Sequence, residues 1–242
     1  MKTHICPNFS ALTITVAEWM TQRMQDILSR KPCCTLVLSG GSTPRALYVL
    51  LASPPYRDRV DWSRVHVFWG DERYVPFEDD RNNARMAFDT LLDNVPVKKE
   101  HIHRMRTDID AEQSAVEYEK MLRTYFEEEG KSFDLVLLGM GNDAHTLSLF
   151  PHQPVIFEKK DWVKALYLQD QAMFRITLTA PIVNRSHCIC FLVSGAEKAA
   201  ALSHVLGEEI DPELYPSQVI RESIGELHLF VDEAAAADLP IA

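Results

Sequence analysis

Short unbroken apolar runs alternate along this chain with segments whose apolar residues recur every three or four positions, and the apolar runs end in glycine and polar residues. TLVL at 35–38 opens into SGGSTP, VHVFW at 65–69 into GDERYVP, LVLL at 135–138 into GMGNDAHTLSLFP, and CICFLV at 188–193 into SGAEK. An apolar run without alternation is what a strand covered on both faces of a parallel sheet requires. Helical patterns fill the intervals. Val16, Met20, Met24 and Ile27 share one face of a helix predicted over 10–30, which Pro32 ends, and Pro44 opens a second helix. Asn82 or Asn83 caps a third through Leu92, and Asp110 caps a long one carrying Val116, Met121, Leu122, Tyr125 and Phe126, which Gly130 stops. Further strands are predicted at 163–168, 176–179 and 227–231, the last followed by an alanine-rich terminal helix. Repeated βα units close into a layered sandwich, so the fold class is α/β with four polar loops gathered at one sheet edge. Ligands bind at that edge in open α/β sheets.

Composition narrows the picture. At 242 residues, with no linker-like stretch or internal repeat, residues 1–242 read as a single domain, and 46% hydrophobic residues supply a sizeable core. The formal charge of −10 and the lack of a Lys/Arg block oppose nucleic acid as a partner. No apolar run approaches the ~20 residues of a membrane span, and the N-terminal segment lacks a long apolar stretch, so a soluble, cytoplasmic protein is expected. Five cysteines without CxxC spacing read as reduced, mostly buried thiols.

Each loop carries its own chemistry. Gly40, Gly41, Ser42 and Thr43 offer main-chain amides and two hydroxyls ahead of a proline suited to a helix's first turn. That combination suits a phosphate, although a plain glycine turn with a hydroxyl cap explains it as well. In GDERYVP, Asp71 or Glu72 can hold Arg73 while the guanidinium meets an anionic oxygen; the alternative is an Asp–Arg pair bracing the loop. Asp143 and His145 sit where the run LVLL ends, which makes His145 a candidate base, against the alternative of a satisfied loop histidine. Gly139, Gly141 and Ala144 mimic a dinucleotide fingerprint, but Asp143 would face the pyrophosphate, and Pro151 and Pro154 interrupt the helix that should cradle it. Arg175 and Lys198 can concentrate positive potential for an acidic ligand, or serve as a strand-end ion pair and an exposed helix residue. His101 and His103 lack the further ligands of a zinc site, and GxSxG is absent.

Taken in order, SGGSTP, GDERYVP, GMGNDAHTLSLFP, RITLT and SGAEK resemble the 6-phosphogluconolactonase family over essentially the whole chain. The resemblance implies a three-layer α/β/α sandwich like that of glucosamine-6-phosphate deaminase, and hydrolysis of 6-phosphogluconolactone in the oxidative pentose phosphate pathway. It implies His145 as general base, supported by Asp143 and Asp71, with Arg73 at the lactone end. The phosphate would be held by Gly40, Gly41, Ser42, Thr43, Arg175 and Lys198. No cofactor, metal or covalent intermediate is called for. Two departures stand out: Asn142-Asp143-Ala144-His145 replaces the family's Pro-Asp-Gly-His, and Leu147-Ser148-Leu149-Phe150 replaces Ala-Ser-Leu-Phe. If position 144 needs a positive φ, alanine there costs stability or shifts the imidazole. Two other functions use related features. A sugar-phosphate isomerase or deaminase would share the scaffold, but deaminases tend to carry Asp-Glu-Tyr where this chain has GDERYVP, and a non-catalytic sugar-phosphate sensor would bring a DNA-binding module, which is not expected ahead of Ser10.

Overall fold

The computed structural model describes residues 1–126, 130–221 and 225–239. Strand β1 (Lys2–Cys6) leads into α1 (Phe9–Leu28), β2 (Cys34–Leu38) into α2 (Ser42–Leu51) and the single turn α3 (Tyr56–Arg59). β3 (Val65–Trp69) runs through one residue into β4 (Asp71–Arg73), followed by α4 (Asn83–Thr90), β5 (Ile102–His103) and α5 (Ala111–Phe126). The remainder comprises β6 (Leu135–Leu138), β7 (Val163–Leu168), β8 (Met173–Leu178), α6 (Ala180–Val183), β9 (Cys188–Val193), α7 (Ala199–Leu206) and β10 (Glu226–Asp232). Side-chain caps fall where the sequence places them: Asn82 accepts from the Arg85 amide, and Asp110 from those of Glu112 and Gln113.

Seven strands form one sheet in the order β1-β10-β9-β6-β2-β3-β5, with every pairing parallel. The apolar runs are buried on both faces. In β6, Leu135 and Leu137 pack with Leu12, Val16 and Met20 of α1 and Leu47 of α2, whereas Val136 and Leu138 pack with Tyr118, Leu122 and Phe126 of α5. Helices therefore cover both sides of the sheet, giving the three-layer α/β/α sandwich, with α1, α2 and α4 on one side and α5 and α7 on the other.

The strand predicted at 163–168 is β7 at those limits, and the one predicted at 176–179 is β8, which runs over 173–178; both join β4 in a second, antiparallel sheet ordered β4-β8-β7, outside the parallel one. Gly70 is the joint between the two: its N–H donates to the Leu38 carbonyl of β2, and its carbonyl accepts from Leu178 of β8. The alanine-rich end is a series of turns over the described residues. There the Asp232 carboxylate accepts the Ala235 amide and fixes a local turn. His101 and His103 stack on His66 at ring separations of 3.8 and 5.8 Å, and Tyr125 bonds both His66 and His103. Burial pushes the His103 imidazole down to about 4.

The two central strands are locked at their amino ends. The buried Asp134 carboxylate accepts the Thr35 amide and hydroxyl, each at 3.0 Å, and pairs with Lys31 at 2.5 Å. Replacing Asp134 by Ala leaves the Thr35 groups without their acceptor, so urea unfolding of Asp134→Ala should show a loss of about 2–4 kcal/mol. An unchanged midpoint would show that β2 and β6 are held by packing alone.

Candidate active site

Because the seven strands run the same way, the loops after β2, β3, β6 and β9 leave one edge, and there they enclose a cavity of about 580 Å³. The glycine loop forms one wall. Its base is fixed by the buried Tyr48, whose hydroxyl donates to the Ser39 carbonyl at 2.8 Å and accepts the Ser39 amide at 2.9 Å. Gly40, Gly41, Ser42 and Thr43 all line the cavity, and Gly41 enters α2 at φ 113, which favours glycine.

The loop after β3 brings carboxylates and a guanidinium together. Asp71 is buried and accepts the Ser148 hydroxyl at 2.7 Å, which ties the β3 exit to the loop after β6. Glu72 does hold Arg73, but through the main chain: its carboxylate accepts the amides of Arg73, Asn83 and Ala84 at 2.8, 2.6 and 2.8 Å. Burial pushes the Glu72 carboxyl up to about 7, against the pull of those amides. The Arg73 guanidinium donates to the Arg81 carbonyl at 2.9 Å, while its buried Nε has no partner among the described residues.

In the loop after β6, Asp143 Oδ1 lies 2.5 Å from His145 Nδ1 and also accepts the His145 amide at 3.2 Å. Such a contact favours the proton on Nδ1 and leaves the lone pair of Nε2 available. Burial opposes ionisation of Asp143, yet the hydrogen bonds and charge of His145 hold its carboxyl below the ordinary Asp value. Gly141 is required by close approach, since a Cβ there would stand 2.1 Å from His145 Nδ1. Phe150 stacks on the imidazole with ring centres 4.1 Å apart.

Ala144 has φ 61, so the departure from the glycine-bearing motif puts an L side chain in the left-handed region. The Ser217 amide and hydroxyl hold it there, donating to the Ala144 carbonyl at 3.0 and 2.7 Å. Leu147 likewise has φ 55, and its bulk is accommodated against Gly70, where a Cβ would fall 2.6 Å from Leu147 Cδ2.

Arg175 stands directly opposite Arg73 in the β4–β8 ladder. Its guanidinium donates to the Gln171 side chain, and its buried Nε has no partner among the described residues. Burial lowers its pKa; Arg73 adds to that effect, while Asp71 and Glu72 oppose it. Lys198 follows β9 and lines the cavity, and among the described residues it forms no salt bridge. The Asp232 carboxylate fixes the turn before it by accepting the Ser194 hydroxyl and the Gly195 amide.

A sequence profile described as glucosamine-6-phosphate isomerases/6-phosphogluconolactonase matches residues 7–229. The chain belongs to this family. It is 40% identical over 224 residues to a Synechocystis sp. protein named 6-phosphogluconolactonase, covering 91% of this chain and 90% of that one. A Nostoc sp. protein of the same name is 37% identical over 241 residues, covering 98% of each chain. The crystal structure of 6-phosphogluconolactonase from Thermotoga maritima superposes with a TM-score of 0.83 at 28% identity, covering 96% of this chain and 99% of that one.

Within this family member, His145, Arg73, Asp71, Arg175, Lys198 and the glycine loop line one cavity, and Asp143 reaches it through His145. The expected separation of Arg73 from Arg175 is not built into the backbone. They are cross-strand partners on one face of the ladder, so only side-chain reach separates the groups they can contact. Phe150, Gln171 and Asn83 also line the cavity and were not expected there. Asn83 has a recognisable signal, since it follows the true cap Asn82 and begins α4 beside Glu72.

The strain at position 144 can be measured. Ala144→Gly removes the left-handed penalty and a single buried methyl, so urea unfolding should show a net gain of about 0.5–1 kcal/mol. A loss would mean that the methyl's packing outweighs the relief.

Proposed function

We propose that this protein hydrolyses 6-phospho-D-glucono-1,5-lactone to 6-phospho-D-gluconate, the second step of the oxidative pentose phosphate pathway, as a single catalytic domain over residues 1–242. The observation that carries the site assignment is the 2.5 Å Asp143–His145 contact in a cavity that also holds Arg73, Arg175 and Lys198. Its volume of about 580 Å³ suits a sugar phosphate. The family relatives named 6-phosphogluconolactonase support the reaction. The cytoplasm is the proposed compartment, and the ligand is a small anion rather than nucleic acid or a membrane. No helix among the described residues is long and apolar enough to cross a bilayer.

The substrate carries a phosphate at one end and an electrophilic ester at the other. Gly40, Gly41, Ser42 and Thr43 bind the phosphate with main-chain amides and hydroxyls, and Arg175 and Lys198 supply positive charge. His145 Nε2 takes a proton from water as the water oxygen bonds to the lactone carbonyl carbon. Asp143 holds the imidazole and stabilises its cation. Arg73 donates to the oxyanion that forms. When the bond from C1 to the ring oxygen breaks, the imidazolium returns the proton to that oxygen, and the open-chain acid ionises. Asp71 acts at one remove, holding the His145 loop through Ser148. General-base help supplies about 10²–10⁴-fold and an aimed oxyanion donor about 10²–10³-fold, enough for a reactive ester.

A proton-release assay with freshly generated 6-phosphogluconolactone, corrected for spontaneous hydrolysis, tests the activity. His145→Ala should lower kcat by about 10²–10⁴-fold with little change in KM, whereas Lys198→Ala should mainly raise KM. The reverse pattern would exchange the two roles. Ammonia release from glucosamine 6-phosphate would instead favour the deaminase reading.

A further inference from the structure

Asn83 is 2% exposed and has no part in the chemistry above, yet three parts of the site meet on it. Its Nδ2 donates to the Asp71 carbonyl at 3.0 Å. Its main-chain amide donates to Glu72 Oε1 at 2.6 Å, the same oxygen that accepts the Arg73 amide at 2.8 Å. Its Oδ1 is buried without a hydrogen-bond partner among the described residues. An unpaired buried carbonyl is costly, so its place demands a reason. That reason lies on the opposite wall. A Cβ at Gly40 would fall 2.0 Å from Asn83 Oδ1, 2.4 Å from Cγ and 2.7 Å from Nδ2. The carboxamide therefore rests against the bare Cα of Gly40. Gly41 is glycine for its φ of 113, but Gly40 is glycine for space.

We infer that Asn83 is a positioning residue that sets the glycine loop against the Asp71–Arg73 strand, so that the grip on the phosphate stays in register with the reacting ester. The inference rests on the lactonase reading. Oδ1 is too buried to meet a ligand, so Asn83 acts through Gly40 on one side and through Asp71 and Glu72 on the other. Placement errors of this kind lower rate and affinity steeply, because a shift of about 1 Å at a positioning group can cost about 10²-fold.

The test compares Asn83→Ala, Gly40→Ala and the double variant, each assayed with 6-phosphogluconolactone and with gluconolactone lacking the phosphate. Either single change should lower the ratio of kcat/KM between the phosphorylated and unphosphorylated lactones by about 10–100-fold, mostly through KM. In the double variant the missing carboxamide leaves room for the new methyl, so its ratio should be no lower than that of Asn83→Ala alone. Equal losses on both lactones, or losses that multiply in the double variant, would overturn the inference. Should Asn83→Ala not fold, Asn83→Ser, which keeps a short polar side chain at the start of α4, takes its place alone and with Gly40→Ala in the same comparison. A parent protein inactive on 6-phosphogluconolactone would remove the lactonase reading and this inference together, whereas an active parent with equal losses would sink the inference alone.

Discussion

A parallel sheet delivers the carboxyl end of every strand to the same edge, and the chemistry of this protein depends on that alignment. Four loops far apart in sequence become the walls of one cavity because β2, β3, β6 and β9 run the same way. Alignment of this kind needs helices on both faces, since a parallel strand exposes no polar side to water. The two apolar clusters meet the requirement by sorting alternate residues of each strand, as with Leu137 toward α1 and Val136 toward α5. Core packing and site assembly are thus one event: any change in strand register would carry a loop out of the cavity and turn buried side chains to the wrong face.

Within the cavity, an acidic chain has to hold cations where it needs them. Arg73 and Arg175 lie side by side across a ladder, an arrangement that burial and like charge both disfavour. Buried Asp71 and Glu72 offset part of that cost. Glu72 gives its oxygens to three main-chain amides rather than to a guanidinium, so it shapes the loop between β4 and α4. Both arginines keep a buried Nε without a partner among the described residues, while their terminal nitrogens reach the Arg81 carbonyl and the Gln171 side chain. The imidazole is treated differently: Asp143 and the face of Phe150 fix it on two sides.

Much of this was legible in the chain itself. Unbroken apolar runs reproduced β6 and β9 at their observed limits, because burial on both faces leaves a strong local signature. Asp110 and Asn82 announced their helices through capping, which is also local. The candidate side chains were legible because ionisable residues directly after a buried strand have few structural uses. The alanine-rich end misled because helix propensity says nothing of Asp232 capturing the Ala235 amide.

Tertiary structure decided the rest. Only the folded chain places β7 and β8 beside β4 in a second sheet, since strand pairing depends on contacts remote in sequence. Only there do Arg73 and Arg175 become neighbours, Phe150 cover the imidazole, and Asn83 close upon Gly40. Sequence by itself determined which residues carry charge, which strands are buried and where the chain turns, because those follow from side-chain chemistry and local backbone preference. Distances between loops, and therefore which groups act together, follow from register and packing, which no short stretch of the chain contains.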